Sequence, residues 1–355
     1  MKAIKMLVRI ISILLVLLLM EILVLPCAAE KQAHAAGPKT VNLECYALPM
    51  GLTGYVLTFA LTDFINKNSE WLRATCIETR GSVENVRTLA DHPEKQSVWL
   101  GLCNPLTRHV AEIGAPPMKK SFKGIKVIAN GIIASSMWVT LDPQIKTHKD
   151  FIGKRIGVGF KASPQGYIPV LILKHGLGIL DKVKLMHIGQ ASAVKDALLD
   201  GMIDVGHLPL GSLIGTEGDF TPVPATASLF TARKCYPISF DEEGIIKTRK
   251  KSGYPLVPLH TKVKTYGRTE VPAMIGWAGG TQWYVHESMP DETVKEILRI
   301  LWDNADNFVK YHAAGKAVKK DTLAKAPEIE SMFHPAAIDF YTSKGITKIG
   351  IGKAW

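Results

Sequence analysis

Three short stretches carry residue types that could hold a small charged guest. They are Gly51-Leu52-Thr53-Gly54-Tyr55, Arg80-Gly81-Ser82-Val83-Glu84-Asn85 and Lys161-Ala162-Ser163-Pro164-Gln165-Gly166. Each combines glycine with hydroxyl, amide or phenol groups. Each also falls where an extended apolar run gives way to helical spacing. Such a junction turns unpaired backbone N–H groups, and the positive end of a helix dipole, toward whatever sits above the strand tip. The chemistry on offer is capture of a carboxylate or another anion. The same residues also suit ordinary βα turns with Ser82 or Asn104 as helix caps. On these residues alone both readings stay open.

Catalytic chemistry finds less support. No serine sits in G-x-S-x-G and no H-E-x-x-H occurs. The 11 histidines show no metal-pair spacing, and Asp and Glu are too dispersed to nominate an acid–base pair. The expectation is a binding protein and not an enzyme, with no cofactor and no metal. Formal charge is +11. The lysines are scattered, and the one dense cluster, Lys247-Thr248-Arg249-Lys250-Lys251, has no interleaved aromatic residues, so nucleic acid is a weak reading. A basic field that favours small anions is what remains.

The elements that would position the three stretches can be read in order. Lys2, Lys5 and Arg9 precede an apolar run at residues 10–25, interrupted by Glu21. Small residues follow, Cys27-Ala28-Ala29 and then Ala33-His34-Ala35-Ala36. This is the pattern of a secretory signal peptide over residues 1–35, which implies export to the periplasm. A lipoprotein anchor on Cys27 is the rival, and Pro26 directly before it fits that badly. Beyond the leader, Cys45, Cys76, Cys103 and Cys235 form no metal-type spacing. Buried thiols are the default; if a disulfide forms, Cys45 with Cys76 is the pair expected, because the first two strands should be neighbours.

Residues 40–47, 72–79 and 96–103 read as strands, separated by helical spacing at 56–66 and after Ser82. Asn104-Pro105 opens a further helix. This alternation argues for a parallel, doubly wound sheet whose ligands bind beyond the C-terminal strand ends. Residues 124–141 form an apolar run too long for one ordinary strand, read as a crossover into a second domain. There strands at 156–160, 183–187 and 203–207 alternate with helices at 168–175 and 191–200. Residues 218–267 are the least legible. Residues 273–285 read as a crossover back, bent at Gly279-Gly280. An amphipathic helix over 289–308 follows. The expected organisation is therefore α/β, two doubly wound α/β domains joined by two crossover strands. Residues 40–139 with 276–355 form one domain and 140–275 the other, with a closable cleft between them.

Four stretches together resemble the solute-binding proteins of tripartite (TRAP) transporters of the TAXI subfamily. They are Gly51-Leu52-Thr53-Gly54-Tyr55, Gly81-Ser82-Val83-Glu84-Asn85, the run from Asp150 to Gly159 (DFIGKRIGVG), and the run from Ala193 to Asp204 (AVKDALLDGMID). The resemblance covers roughly residues 40–310. It implies a periplasmic binding protein-like II fold and an extracytoplasmic receptor, working as a monomer, that hands a glutamate-like or dicarboxylate anion to membrane permease subunits. A sensing subunit for a membrane histidine kinase is the alternative. By matching position, Gly51, Thr53 and Tyr55 would line the first wall, and Ser82 and Asn85 would bond the ligand, with Gly81 allowing close approach. The chain departs from the pattern at Arg80 and over Lys161-Ala162-Ser163-Pro164-Gln165-Gly166. Ser163, Gln165 and Gly166 are the candidates on the second wall, and Asn104 is a candidate on the first. Arg80 and Lys161 would serve as charge partners for a carboxylate, and Ser135 lies mid-crossover, where backbone nears the cleft. Trp277, Trp283 and Tyr284 read as core, with Trp277 the one that could face the cleft.

Overall fold

Short β-branched and aromatic runs set the strands, and the helices fill the gaps between them. The computed structural model describes residues 40–352 apart from residues 51, 117, 119, 162 and 215–218. The leader expected at 1–35 lies outside the described residues. The first part of the chain runs β1 (Val41–Tyr46), α1 (Thr53–Asn68), β2 (Leu72–Ile77), α2 (Ser82–Asp91), β3 (Trp99–Cys103) and α3 (Pro105–Ile113). The long strand β4 (Ile125–Thr140) follows. The alternation then resumes with β5 (Arg155–Val158), α4 (Pro164–Leu171), β6 (Lys184–His187), α5 (Ala191–Leu199) and β7 (Val205–Ile214). Next come β8 (Asp219–Pro222), α6 (Pro224–Ala232), β9 (Tyr236–Ile238), α7 (Glu242–Ser252), β10 (Pro258–Thr261), β11 (Lys264–Tyr266) and β12 (Thr269–Val271). The chain returns through β13 (Met274–Trp277) and β14 (Gly279–His286) to α8 (Asp291–Asp303), α9 (Lys320–Leu323) and α10 (Pro335–Ser343).

The main sheet has the order β2-β1-β3-β14-β4-β7-β5-β6, with β8 on β7 and β9 on β4. β1 pairs in parallel with β2 and β3, and β5 does so with β6 and β7. Between these parallel triads, β14 is antiparallel to β3 and β4, and β4 is antiparallel to β7. β4 is shared: its residues 125–134 pair with β14 and its residues 134–140 with β7. The apolar cores change hands along it. Ile132 belongs to a core drawn from residues 43–132 and 283–349, while Ile133 belongs to one drawn from residues 133–278. A third core gathers around Trp138 and Phe151, and Leu106 of α3 joins it.

The long crossover was expected as one strand and is one. The return crossover is two strands broken at Ala278: β13 pairs with β10, and β14 enters the main sheet. Two residues past the break, Gly280 has a φ of 113°, a conformation that favours glycine, and a Cβ there would meet Ile132 O at 1.9 Å. The helix expected at 168–175 begins earlier, with Pro164 in its first turn, and winds into a π-helical turn over Ile172–Leu177. Pro169 inside it has no N–H to give to the ladder. The segment 218–267, illegible in sequence, holds α6, α7 and several short strands. Cys45 and Cys76 stand opposite each other in the β1–β2 register, and both are free thiols.

Candidate functional site

Strand tips carry the helix starts, and the helix starts meet at one place. A cavity of about 390 Å³ is bordered by Leu52, Thr53 and Gly54 at the start of α1 and by Ser82 at the start of α2. Asn104 to Leu106 at the start of α3, Pro164 and Gln165 at the start of α4, and Val223 just before α6 complete the ring. Five helices therefore present their N-terminal ends to one hollow. Four of them, α1, α2, α4 and α6, have no side-chain cap on the first-turn amides. Only α3 is capped, by Asn104 Oδ1 accepting from the Thr107 amide. Pro occupies the first turn of α3, α4 and α6, so the donors left at those ends lie deeper in the turn.

The rest of the described lining is apolar but for Thr281 and the Trp277 Nε1. Ile132 and Ala134 come from β4, Ile168 from α4, and Pro255 with Leu256 from the stretch after α7. Trp277, Ala278, Gly279, Gly280 and Thr281 come from the broken crossover. No Lys, Arg, His, Asp or Glu is among the described lining residues. The polar side chains are Thr53, Ser82, Asn104, Gln165 and Thr281. Gln165 Oε1 is buried and has no hydrogen-bond partner. A half-turn of that amide would present Nε2 instead, a choice the hydrogen-bond network decides.

Behind this wall lies an aromatic stack. His207 is 1% exposed, and its ring stacks on that of Trp277, centroids 6.2 Å apart at 15°. Trp138 and Phe240 close its other sides at 5.3 and 5.8 Å. His207 Nδ1 is 3.1 Å from the Gln165 carbonyl, which only accepts, so the proton sits on Nδ1 and Nε2 is a bare, unpartnered acceptor. Burial pushes the His207 pKa down to about 3, against a smaller opposing pull from that carbonyl. The imidazole is a neutral prop that ties β7 to the start of α4.

A second buried network stands under α3. Arg108 donates from Nε and Nη2 to the two oxygens of Glu328, at 2.6 and 2.8 Å, and the Tyr284 hydroxyl donates to the same carboxylate at 2.9 Å. Arg108 Nη1 is 2.6 Å from Glu112, close enough for an ion pair but not aligned as a hydrogen bond. Burial opposes the charge on Arg108, and Glu328 more than restores it, so its pKa is raised.

The residues proposed from sequence divide accordingly. Thr53, Ser82, Asn104 and Gln165 line the cavity together. Gly51 lies outside the described residues. Tyr55, Gly81, Asn85, Ser135, Ser163 and Gly166 are not in the lining. Gly81 precedes α2 with φ 131°. Asn85 is fully buried, and its Nδ2 donates to the carbonyls of Tyr46, Ala47 and Leu102, tying β1 to β3. Ser163 Oγ donates to Phe160 O, and Gly166 packs so close to that carbonyl that a Cβ would sit 1.9 Å from it. Ser135 is fully buried, one residue beyond Ala134, and its Oγ is without a partner. Arg80 and Lys161 are exposed. The sequence reading missed Leu106, Ile132, Val223, Pro255 and Leu256. One signal pointed to part of this set: Asn104-Pro105, Ser163-Pro164 and Val223-Pro224 each place a proline just inside a helix start.

The chain belongs to the NMT1-like family, whose sequence profile matches residues 48–345. Among solved structures it is similar to a TctC solute-binding protein from Polaromonas, with 13% identity, 87% of this chain and 99% of that one covered, and a TM-score of 0.48. It is also similar to the periplasmic aliphatic sulphonate-binding protein SsuA from Escherichia coli, with 11% identity, coverage of 88% and 95%, and a TM-score of 0.45. A third is the alkanesulfonate-binding protein SsuA from Xanthomonas axonopodis pv. citri bound to MOPS, with 11% identity, coverage of 87% and 95%, and a TM-score of 0.41.

Proposed function

We propose that this protein is an extracytoplasmic solute-binding receptor that captures a small organic anion in the cavity and delivers it to a membrane permease of the TRAP type, in keeping with the TAXI-like stretches of its sequence. The observation that carries the reading is the meeting of five helix N-termini at one hollow, four of them without a side-chain cap. Each such end holds unpaired N–H groups and roughly half a positive charge. An anion can supply what the missing caps do not. The lining offers hydroxyls and amides for orientation, and a volume within the range of about 300–1,000 Å³ common to small-ligand sites. No side-chain acid or base is among its described residues, so the role proposed is holding and release. In this reading residues 40–139 with 276–355 and residues 140–275 act as two lobes that close on the ligand, with β4 and the β13–β14 stretch as the hinge. A leader over residues 1–35 takes the chain to the periplasm.

A thermal-shift screen of organic acids tests this, with the neutral amide of each acid as control. A ligand at a hundredfold excess over its Kd should add about 2.7 kcal/mol of stability. Stabilisation by sugars or cations, with no response to any organic anion, would overturn the reading.

A further inference from the structure

Resting on that receptor reading, we infer that the ligand is an amphiphilic monoanion, one charged head on an apolar body, and not an amino acid or a dicarboxylate. The lining decides this. Of its 21 described residues, six carry polar side-chain atoms, Trp277 with its Nε1 among them, and none carries a formal charge. An amino-acid ligand would bring an ammonium group, which needs a carboxylate or a cluster of carbonyls to replace its water. No Asp or Glu is among the described lining residues. A dicarboxylate would bring two anionic ends. Both would depend on the helix starts alone, at about half a charge each, because no Lys, Arg or His is among the described lining residues to pair either one.

The wall has other work to do. Leu106, Ile132, Ile168, Leu256 and the Trp277 ring are large apolar side chains that border it from five separate stretches of chain. Trp277 is 3% exposed and held by the His207 stack, so its ring is a fixed surface. Its Nε1 has no partner, which leaves one buried donor within the same structure that frames the hollow. The His207 imidazole cannot add the missing cation, because it stacks on Trp277 among Trp138 and Phe240. Arg108 cannot either, since its guanidinium is engaged by Glu328 and Glu112.

The test is a calorimetric series on the purified chain, stripped of any copurified ligand by unfolding and refolding. The probes are butyrate, hexanoate and octanoate, then adipate and glutamate, then hexanamide. Affinity should rise about fourfold per added methylene until the cavity is full. Hexanoate should bind at least tenfold more tightly than adipate, glutamate or hexanamide. Adipate or glutamate binding as tightly as hexanoate would overturn the inference and leave the receptor reading standing. Hexanamide matching hexanoate, or no anion in the series binding, would overturn the anion receptor itself.

Discussion

Replacing His207 by Phe should make the protein less sensitive to acid. His207 packs among Trp138, Phe240 and Trp277, and no charged side chain is among these ring contacts. Burial holds its pKa near 3, against 6.5 for the free side chain. The sign follows from linkage. Above pH 6.5 the ring is neutral in both states and costs nothing. As pH falls below 6.5 the unfolded chain takes up a proton that the native state refuses, so stability is lost down to about pH 3. Between pH 6 and pH 4 that single group should remove about 2.5 kcal/mol. Phenylalanine removes this loss. It forfeits the bond to the Gln165 carbonyl, about 1 kcal/mol, although that carbonyl still accepts from the Gly159 amide. The larger ring adds a packing penalty of about 1–3 kcal/mol. Those offsets do not depend on pH, so the slope is the observable. Urea unfolding at half-unit steps from pH 7 to pH 4 should give two curves that converge or cross as acid is added. His109, His148 and His334, whose pKa values burial also lowers, contribute equally to both proteins and cancel. Parallel curves would refute the argument that His207 is buried in its neutral form.

Two further substitutions probe the supports of the cavity. Glu328→Gln leaves the shape of the Arg108 network but strips its charge. Both side chains are under 5% exposed, so an uncompensated guanidinium should cost about 3 kcal/mol, the lower end for a broken buried pair because Glu112 remains. Thermal melts should fall by several degrees, and an unchanged midpoint would show that the pair contributes nothing. Asn85→Ala removes the amide that bridges the Tyr46, Ala47 and Leu102 carbonyls, and should cost about 1–3 kcal/mol in urea unfolding. Stability within a few tenths of a kcal/mol would mean that these carbonyls find other donors.

The alternation of strands and helices was legible because periods of two and 3.6 residues survive in sequence. It located β1 to β3, the whole of β4 and the return of β14. The close approach at Gly280 was legible too, since paired glycines in an apolar run mark a place where backbones meet, although the crossover itself breaks one residue before the pair, at Ala278. What failed was the segment from 218 to 267. There each helix buries few apolar residues, Leu229 and Phe230 in α6 and Ile245 in α7, and the other buried positions are Thr226, Gly244 and Thr248. No period builds up over so few residues. Helix α4 was placed too late for a related reason. Gln165 and Gly166 look like loop residues, and the proline before them masks the fact that it is the first residue of the helix and not the end of a turn.

Sequence could show where the helices start but only partly which side chains those starts turn toward the hollow. Asn85 illustrates the part that could be worked out. It lies four residues before Leu89 on α2, and so on the same stripe as the buried Val86 and Leu89. The period that placed Leu89 in the core therefore placed Asn85 there as well, whereas Ser82, in the first turn, stays at the rim. The apolar walls could not be worked out this way. Ile132 lies in β4, and Val223 and Leu256 lie in stretches that look like any core or linker. They meet only because β4 carries the chain from one core to the next and the return crossover breaks at Ala278. Polar candidates announce themselves by residue type; an apolar wall depends on long-range pairing. A site of this kind is thus read from sequence as more polar than it is: the candidates were glycines, hydroxyls, amides and charges, while most of the described lining is apolar.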